Sequence, residues 1–214
     1  MNFEVHGKPV EIVLSFDDGK KDDMHLVELL RQYDMPATFY IPSANRELTD
    51  DQIRDLAETF TIGGHTKNHR FLTSIPLPDA ESEICDGKSE LEAIIGEKIT
   101  TFCYPRGRFS PVIKDMVKAA GFTEARTTRV LATKRAYDPY ELDTTIHFYQ
   151  RKEYAGRPWL SLALEFFDQT INPDSDVDYF HGWGHGYEII RDGGMKDFEF
   201  LLSYMSDKLH DKSI

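Results

Sequence analysis

Val10-Glu-Ile-Val-Leu-Ser-Phe16, followed at once by Asp17-Asp18-Gly19, decides how this chain folds. A short run of aliphatic and β-branched residues that ends in an acidic pair and a glycine reads as a buried strand stopping at a turn. The following residues, 22–33, place Met24, Leu26, Val27, Leu29 and Leu30 on one helical face. The same alternation recurs along the chain. Strands are expected over 37–41, 61–62, 101–104, 122–126, 142–148 and 177–183. Helices are expected over 49–60, 79–95, 111–120, 159–171 and 196–209. Their ends carry ordinary signals: Thr49 with Gln52 as a capping box, Ser110 before Pro111, and stops at Gly96 and Gly121. Strands joined by helices imply parallel pairing, and continuous apolar runs suit strands covered on both faces.

A closed barrel or an open doubly wound sheet both satisfy this order. Eight full βα units need about 250 residues, and the chain has 214. A shortened, irregular barrel occupying 1–214 as one domain fits better. The polar punctuation falls after strands: Asp17-Asp18, His65, Tyr104-Pro105-Arg106 and His185. In parallel α/β folds, sites gather at the carboxyl ends of strands, so these four segments can converge on one mouth.

Composition narrows the function classes. Lysine and arginine number 25 against 37 acidic residues, a net charge of −12, which argues against a nucleic-acid partner. Hydrophobic residues at 40% support a sizeable core. No run approaches the roughly 18 apolar residues of a membrane span; the nearest, 159–167, contains Glu165. The opening residues lack a basic start followed by an apolar stretch, so a cytoplasmic location is the expectation, although a cleaved leader would leave the same picture. Cys85 and Cys103 lack zinc-type spacing and are read as reduced. Oligomeric state is not set by the sequence.

Four clusters could carry chemistry. Paired carboxylates at Asp17-Asp18 repel unless a cation or hydrogen bonds stabilise them; the plain alternative is an acidic turn capping the next helix. His65-Thr66-Lys67-Asn68-His69 spaces two imidazoles four apart, one face of a helical turn. With one aspartate, Asp17 or Asp18, they would offer three metal ligands and leave a position for water, the pattern of a catalytic site; two surface histidines are the alternative. Phe102-Cys103-Tyr104-Pro105-Arg106-Gly107 taken alone is a strand end and turn. His181-Gly-Trp183-Gly-His185-Gly-Tyr187-Glu188 could seat a proton donor in a small-residue loop, or be structural. Trp159, Trp183, Tyr187, Tyr104 and Phe109 could stack on sugar rings, with core packing the better reading for Trp159.

Taken together these clusters resemble the polysaccharide deacetylase family, the NodB-homology group of carbohydrate esterases. Ser15-Phe-Asp-Asp-Gly19 looks like its first motif and His65 to His69 like its second. Pro36-Ala-Thr-Phe-Tyr40 is typical between them, Phe102 to Gly107 sits where the third belongs, and His185 resembles the last motif's histidine. Residues 127–176 match nothing in that pattern. The resemblance implies a distorted (β/α)7 barrel and a metal-dependent hydrolase that removes acetyl groups from N-acetylated or O-acetylated carbohydrate. It implies Asp17 as general base, His185 as general acid, and Asp18, His65 and His69 as ligands of one divalent metal, commonly zinc. Substrate and oxyanion contacts are expected from Trp183, Arg106 and a backbone N–H near Tyr104. Cys103 stands where many members carry an arginine that orients the base; Arg106 reaching back to Asp17 is one substitute. Asp143 and Asp178 are the candidates for the carboxylate that pairs with the acid. The competing functions are hydrolysis of small cyclic amides, as in the allantoinase-like branch of the same fold, and silent carbohydrate binding.

Overall fold

The computed structural model describes residues 2–210. Its strands are β1 (Asn2–Val5), β2 (Lys8–Asp17), β3 (Thr38–Ile41), β4 (Thr61–Gly64), β5 (Thr101–Cys103), β6 (Glu124–Arg126), β7 (Ile146–His147) and β8 (Tyr179–Gly184). Helices α1 (Asp23–Gln32), α2 (Asp50–Ala57), α3 (Leu77–Ile95), α4 (Pro111–Ala119), α5 (Trp159–Ile171), α6 (Gly186–Arg191) and α7 (Met195–His210) connect or follow them. The sheet runs β6-β5-β4-β3-β2-β8-β7 with every neighbour parallel, and β1 adds to β2 as an antiparallel hairpin. Residues 142–147 bring the two ends of the sheet together. Leu142 bridges to Arg126 and accepts from Thr127 N at 2.8 Å, while Thr145 N donates to His181 O at 2.8 Å. The result is the distorted (β/α)7 barrel that the strand order led one to expect.

The expected apolar cover holds on the outer face alone. Ile12, Leu14 and Phe16 of β2 point outward, where Phe16 meets Phe198 of α7 edge-on at 5.7 Å. On β8, Phe180 does the same against Phe167 of α5 at 5.8 Å. The alternate residues face inward, where the barrel is polar. His181 takes both its partners there, Ser15 Oγ at 2.8 Å and Tyr179 Oη at 2.9 Å, and Tyr40 Oη pairs with Thr101 Oγ1 at 2.8 Å. A narrow barrel tolerates such groups because they hydrogen-bond one another.

The capping signals act as read: Thr49 and Gln52 form a reciprocal capping box, Ser110 caps Ile113 N, and Gly96 ends α3 in the left-handed region. Three features differ from the sequence-based expectation. β1 and its tight turn at His6-Gly7 carry too short an apolar pattern to be seen. β7 shrinks to Ile146–His147, because Leu142 and Thr145 serve different neighbours. A further helix, α6, starts directly behind His185. No described helix is long and apolar enough to cross a membrane.

Candidate active site

β2, β4, β6, β7 and β8 all deliver a polar side chain at or just past their carboxyl ends: Asp17 and Asp18, His65, Arg126, His147 and His185. A cavity of about 390 Å³ opens there, within the range of about 300–1,000 Å³ common for small-ligand pockets. Asp17, Asp18, His65, His69, His185 and Glu188 line it.

Asp18 leaves β2 with φ 82°, a left-handed conformation that aspartate tolerates better than most residues. Its Oδ1 lies 3.6 Å from His65 Nε2 and 3.3 Å from His69 Nε2. The two histidines do not share a helical turn, as their spacing suggested. They sit in a loop with Thr66 and His69 at positive φ, and their rings approach to 4.7 Å. Gly63 permits this exit from β4, because a Cβ there would lie 2.4 Å from the Tyr40 ring. His65 Nδ1 is 2.7 Å from the Cys103 carbonyl, which can only accept, so Nδ1 carries the hydrogen and Nε2 is left to face Asp18.

Three groups of His, Cys, Asp and Glu could hold a metal among the described residues, and their chemistry separates them. In the group Asp17, His65 and Cys103, Asp17 is already neutralised by Arg126. In the group His147, His185 and Glu188, the carboxylate is engaged by His185 Nδ1 at 2.6 Å. In Asp18, His65 and His69, Asp18 Oδ1 is buried with no hydrogen-bond partner. Burial opposes charge on His65, yet Cys103, Asp18 and Asp17 hold its pKa well above the ordinary imidazole value. That pocket attracts positive charge, and a divalent cation fits its donors.

Asp17 is 2% exposed. Both of its oxygens accept from the Arg126 guanidinium, which comes across the barrel from β6 and lies over Trp183 at 4.6 Å and Tyr40 at 5.1 Å. Burial favours the neutral acid, but the Arg126 charge, with His65 and His185, holds the carboxyl below its ordinary value. The Asp17 carboxyl is thus held toward its ionised form. Cys103 Sγ adds a weak contact at 3.6 Å. Asp17 thus has an arginine partner, and it is Arg126, not Arg106. Arg106 lies over the Phe71 ring at 5.1 Å on the outer part of the cavity. The hint in the sequence was a cation closing an apolar strand, which inside a barrel requires an anion.

His185 follows β8 directly. Its Nε2 lies 3.8 Å from Asp18 Oδ2 and its Nδ1 meets Glu188 Oε2 at 2.6 Å. Burial disfavours the imidazolium; Glu188, Asp17 and Asp18 overcome this and raise its pKa. Glu188 is the carboxylate partner, one turn along α6, not Asp143 or Asp178, which pair with Arg129 and Lys134. The His-x-x-Glu spacing was the available signal. His147 Nε2 also lies 3.1 Å from Glu188, and its ring stacks on Trp183 at 4.0 Å; burial lowers its pKa to about 4. Asp23, at the start of α1, accepts from Lys20 N at 3.0 Å and Gly186 N at 3.1 Å, tying the turn after Asp17-Asp18 to the start of α6.

Trp183 lines the cavity with 3% exposure, and Tyr187 lines it nearer solvent. Tyr104 does not. It is fully buried, its N–H donates to Arg126 O at 3.1 Å, and its ring stacks on Phe109 at 4.8 Å. Its backbone N–H is spent in the β5–β6 ladder and cannot serve an oxyanion. Trp159 packs in the core against Phe148.

A peptidoglycan-N-acetylglucosamine deacetylase from Bacillus cereus is 29% identical over 125 residues, covering 57% of this chain and 58% of that one. The chain spans about half the length of the curated relatives it matches. Among solved structures, a family 4 carbohydrate esterase from Streptomyces lividans in complex with acetate superposes with a TM-score of 0.64 at 14% identity, over 95% of this chain and 89% of that one. An altered family 4 pseudoenzyme with restored enzymatic activity gives 0.61 at 15% identity, over 94% and 63%. At these identities the two structures share the fold. The family model for polysaccharide deacetylase matches residues 5–125, which is more than half of the 214 residues and contains Asp17, Asp18, His65 and His69, and so the chain belongs to the polysaccharide deacetylase family.

Proposed function

We propose that the protein is a metal-dependent hydrolase that removes acetyl groups from N-acetylated or O-acetylated carbohydrate. The observation that carries the reading is one cavity in which an unpartnered Asp18 oxygen faces two imidazole nitrogens between an arginine-held aspartate and a glutamate-held histidine. A pseudoenzyme stands among the structural neighbours, so the reading rests on the side chains that meet here, Asp17 with Arg126, Asp18 with His65 and His69, and His185 with Glu188. A binding module has no use for that full set.

Asp18, His65 and His69 would hold the cation, and one carboxylate oxygen with two imidazoles suits zinc with a position left for water. When bound, such a cation lowers the pKa of water and polarises an acyl oxygen. Asp17 accepts the proton lost by the attacking water, since Arg126 keeps it ionised and fixed in direction. His185 supplies a proton to the departing nitrogen or oxygen. Glu188, holding Nδ1–H, leaves Nε2 as the proton-bearing face toward the cavity. An amine leaves poorly unless protonated, so amides depend on His185 more than activated esters do. Tyr187, nearer solvent, provides the aromatic wall on which a sugar ring rests, while Trp183, covered by His147 and Arg126, holds those two side chains in place.

The test is a substrate panel of acetylated sugars and cyclic imides, run on chelator-treated protein with and without added zinc. Metal-dependent release of acetate from acetylated sugars supports the reading, and turnover of cyclic imides alone moves it to the amidohydrolase alternative. Asp17→Asn should retain metal and lose activity by roughly 10²–10⁴-fold, the usual contribution of a general base; unchanged turnover removes Asp17 from that role.

A further inference from the structure

Arg106 and Arg108 are set apart from the other arginines of the chain. Every other arginine among the described residues has a carboxylate oxygen within 4 Å. In a chain with 37 acidic side chains against 25 basic ones, pairing is the expected fate of a guanidinium. Yet these two, on the turn after β5, meet no carboxylate and make no side-chain hydrogen bond among the described residues. Arg106 lines the cavity, exposed, with its guanidinium over the Phe71 ring at 5.1 Å.

The turn itself is built and strained. Arg106 has φ 55° and ψ 21°, a left-handed conformation that costs energy for a side chain of this kind. The strain is held in place by Gly107, whose absent Cβ would lie 2.4 Å from Thr128 Oγ1, and by Gly107 N donating to Tyr104 O at 2.7 Å. Thr128 Oγ1 in turn donates to Arg106 O at 3.3 Å. A strained backbone at a cavity rim that presents an unpaired cation points to a ligand. Arg151 lines the same cavity but is paired, donating to both Glu153 oxygens at 3.4 Å, which leaves Arg106 as the lining arginine without a carboxylate among the described residues. The carboxylates deeper in the cavity do not cancel its charge. Asp17 is paired with Arg126, Asp18 faces His65 and His69, and Glu188 is shared by His185 and His147.

We propose that Arg106 is a recognition site for an oxyanion on the substrate, so that the acetylated saccharide taken by this cavity carries a carboxylate or a phosphate. The inference rests on the deacetylase reading and narrows its substrate class. A guanidinium recognises either anion through paired N–H donors, so the two sources are separated by experiment.

The experiment uses the zinc-loaded full chain and p-nitrophenyl acetate, a neutral acetyl ester, as reporter. N-acetylglucosamine, its 3-O-lactyl carboxylate analogue N-acetylmuramic acid, and N-acetylglucosamine 6-phosphate are compared as competitors and as substrates. At least one anionic sugar should bind roughly tenfold more tightly than the neutral one, as expected for a charge-assisted hydrogen bond at a partly solvated site. Which of the two wins identifies the anion. High salt should erode that preference and leave the neutral sugar unaffected. Arg106→Asn, which removes the charge but accepts left-handed backbone, should abolish most of the preference. Arg106→Lys should restore part of it, and Arg54→Gln, on the remote surface of α2, should leave it intact. Equal binding of neutral and anionic sugars, or a preference unchanged in Arg106→Asn, overturns the proposal. Failure of the zinc-loaded protein to hydrolyse either the reporter or any acetylated sugar would instead overturn the deacetylase reading.

Discussion

Replacing Arg126 with methionine tests the central electrostatic feature of the site. The Arg126 and Asp17 side chains are 0% and 3% exposed, and both Asp17 oxygens accept from the guanidinium. Removing one partner of a buried pair leaves the other charge uncompensated, at a cost of about 3–5 kcal/mol. For a protein of this size each kcal/mol lowers Tm by about 2–4 °C, giving an expected drop of roughly 6–20 °C. The deficit depends on pH, with a sign fixed by the geometry. In the parent protein Asp17 titrates below its ordinary value. Its stabilising contribution is thus complete above the unfolded carboxyl pKa of about 3.9 and disappears as pH falls through the lower, folded value. Without Arg126, burial dominates and raises that pKa. The variant is then penalised progressively as pH climbs above about 3.9, so the Tm gap is larger near about pH 7 than near about pH 4. Thermal unfolding of chelator-treated protein followed by circular dichroism measures both. Adding Asp17→Asn to Arg126→Met removes the stranded charge, so the double variant should be at least about 2 kcal/mol more stable than the two single losses added together. Additive losses, or a Tm gap that does not change with pH, would refute the pairing.

Three further outcomes follow from the same geometry. Asp18→Asn replaces the unpartnered anionic oxygen facing His65 and His69 with a neutral amide, so the protein should no longer retain zinc through dialysis; one equivalent found by atomic absorption would exclude Asp18 as a ligand. Glu188→Gln withdraws the charge that raises the His185 pKa. The alkaline limb of the kcat/KM profile, where the acid loses its proton, should then move to lower pH, and an unmoved limb counts against the assignment. Asp23→Asn leaves one oxygen to accept where two backbone N–H groups now donate. It should destabilise the fold by about 1–3 kcal/mol, read as a lowered urea midpoint at constant slope.

What could be read from the sequence, and what could not, divides along one physical line. Asp17, Asp18, His65 and His69 lie in short segments whose strand, turn and spacing signals are local, and the barrel brings those segments together without further information. Arg126 could not be found that way, because its partner is 109 positions distant and reaches it only when the sheet has curled. Its pairing with Asp17 belongs to the barrel interior, which alternation in β2 hides: Ile12, Leu14 and Phe16 dominate the pattern while Ser15 and Asp17 face inward. Glu188 was within reach, three residues after His185, but only to a reader who placed a helix at Gly186. Tyr104 misled for the converse reason. Its position behind a strand resembled a donor site, yet the N–H was already committed to β6, as backbone groups between paired strands must be. Local pattern thus identifies which residues can do chemistry. The closing of the barrel decides which of them are charged: a residue from the far side of the sheet, with His65 and His185, favours the ionised form of Asp17 against its burial, and the proposed role of Asp17 as a base depends on that.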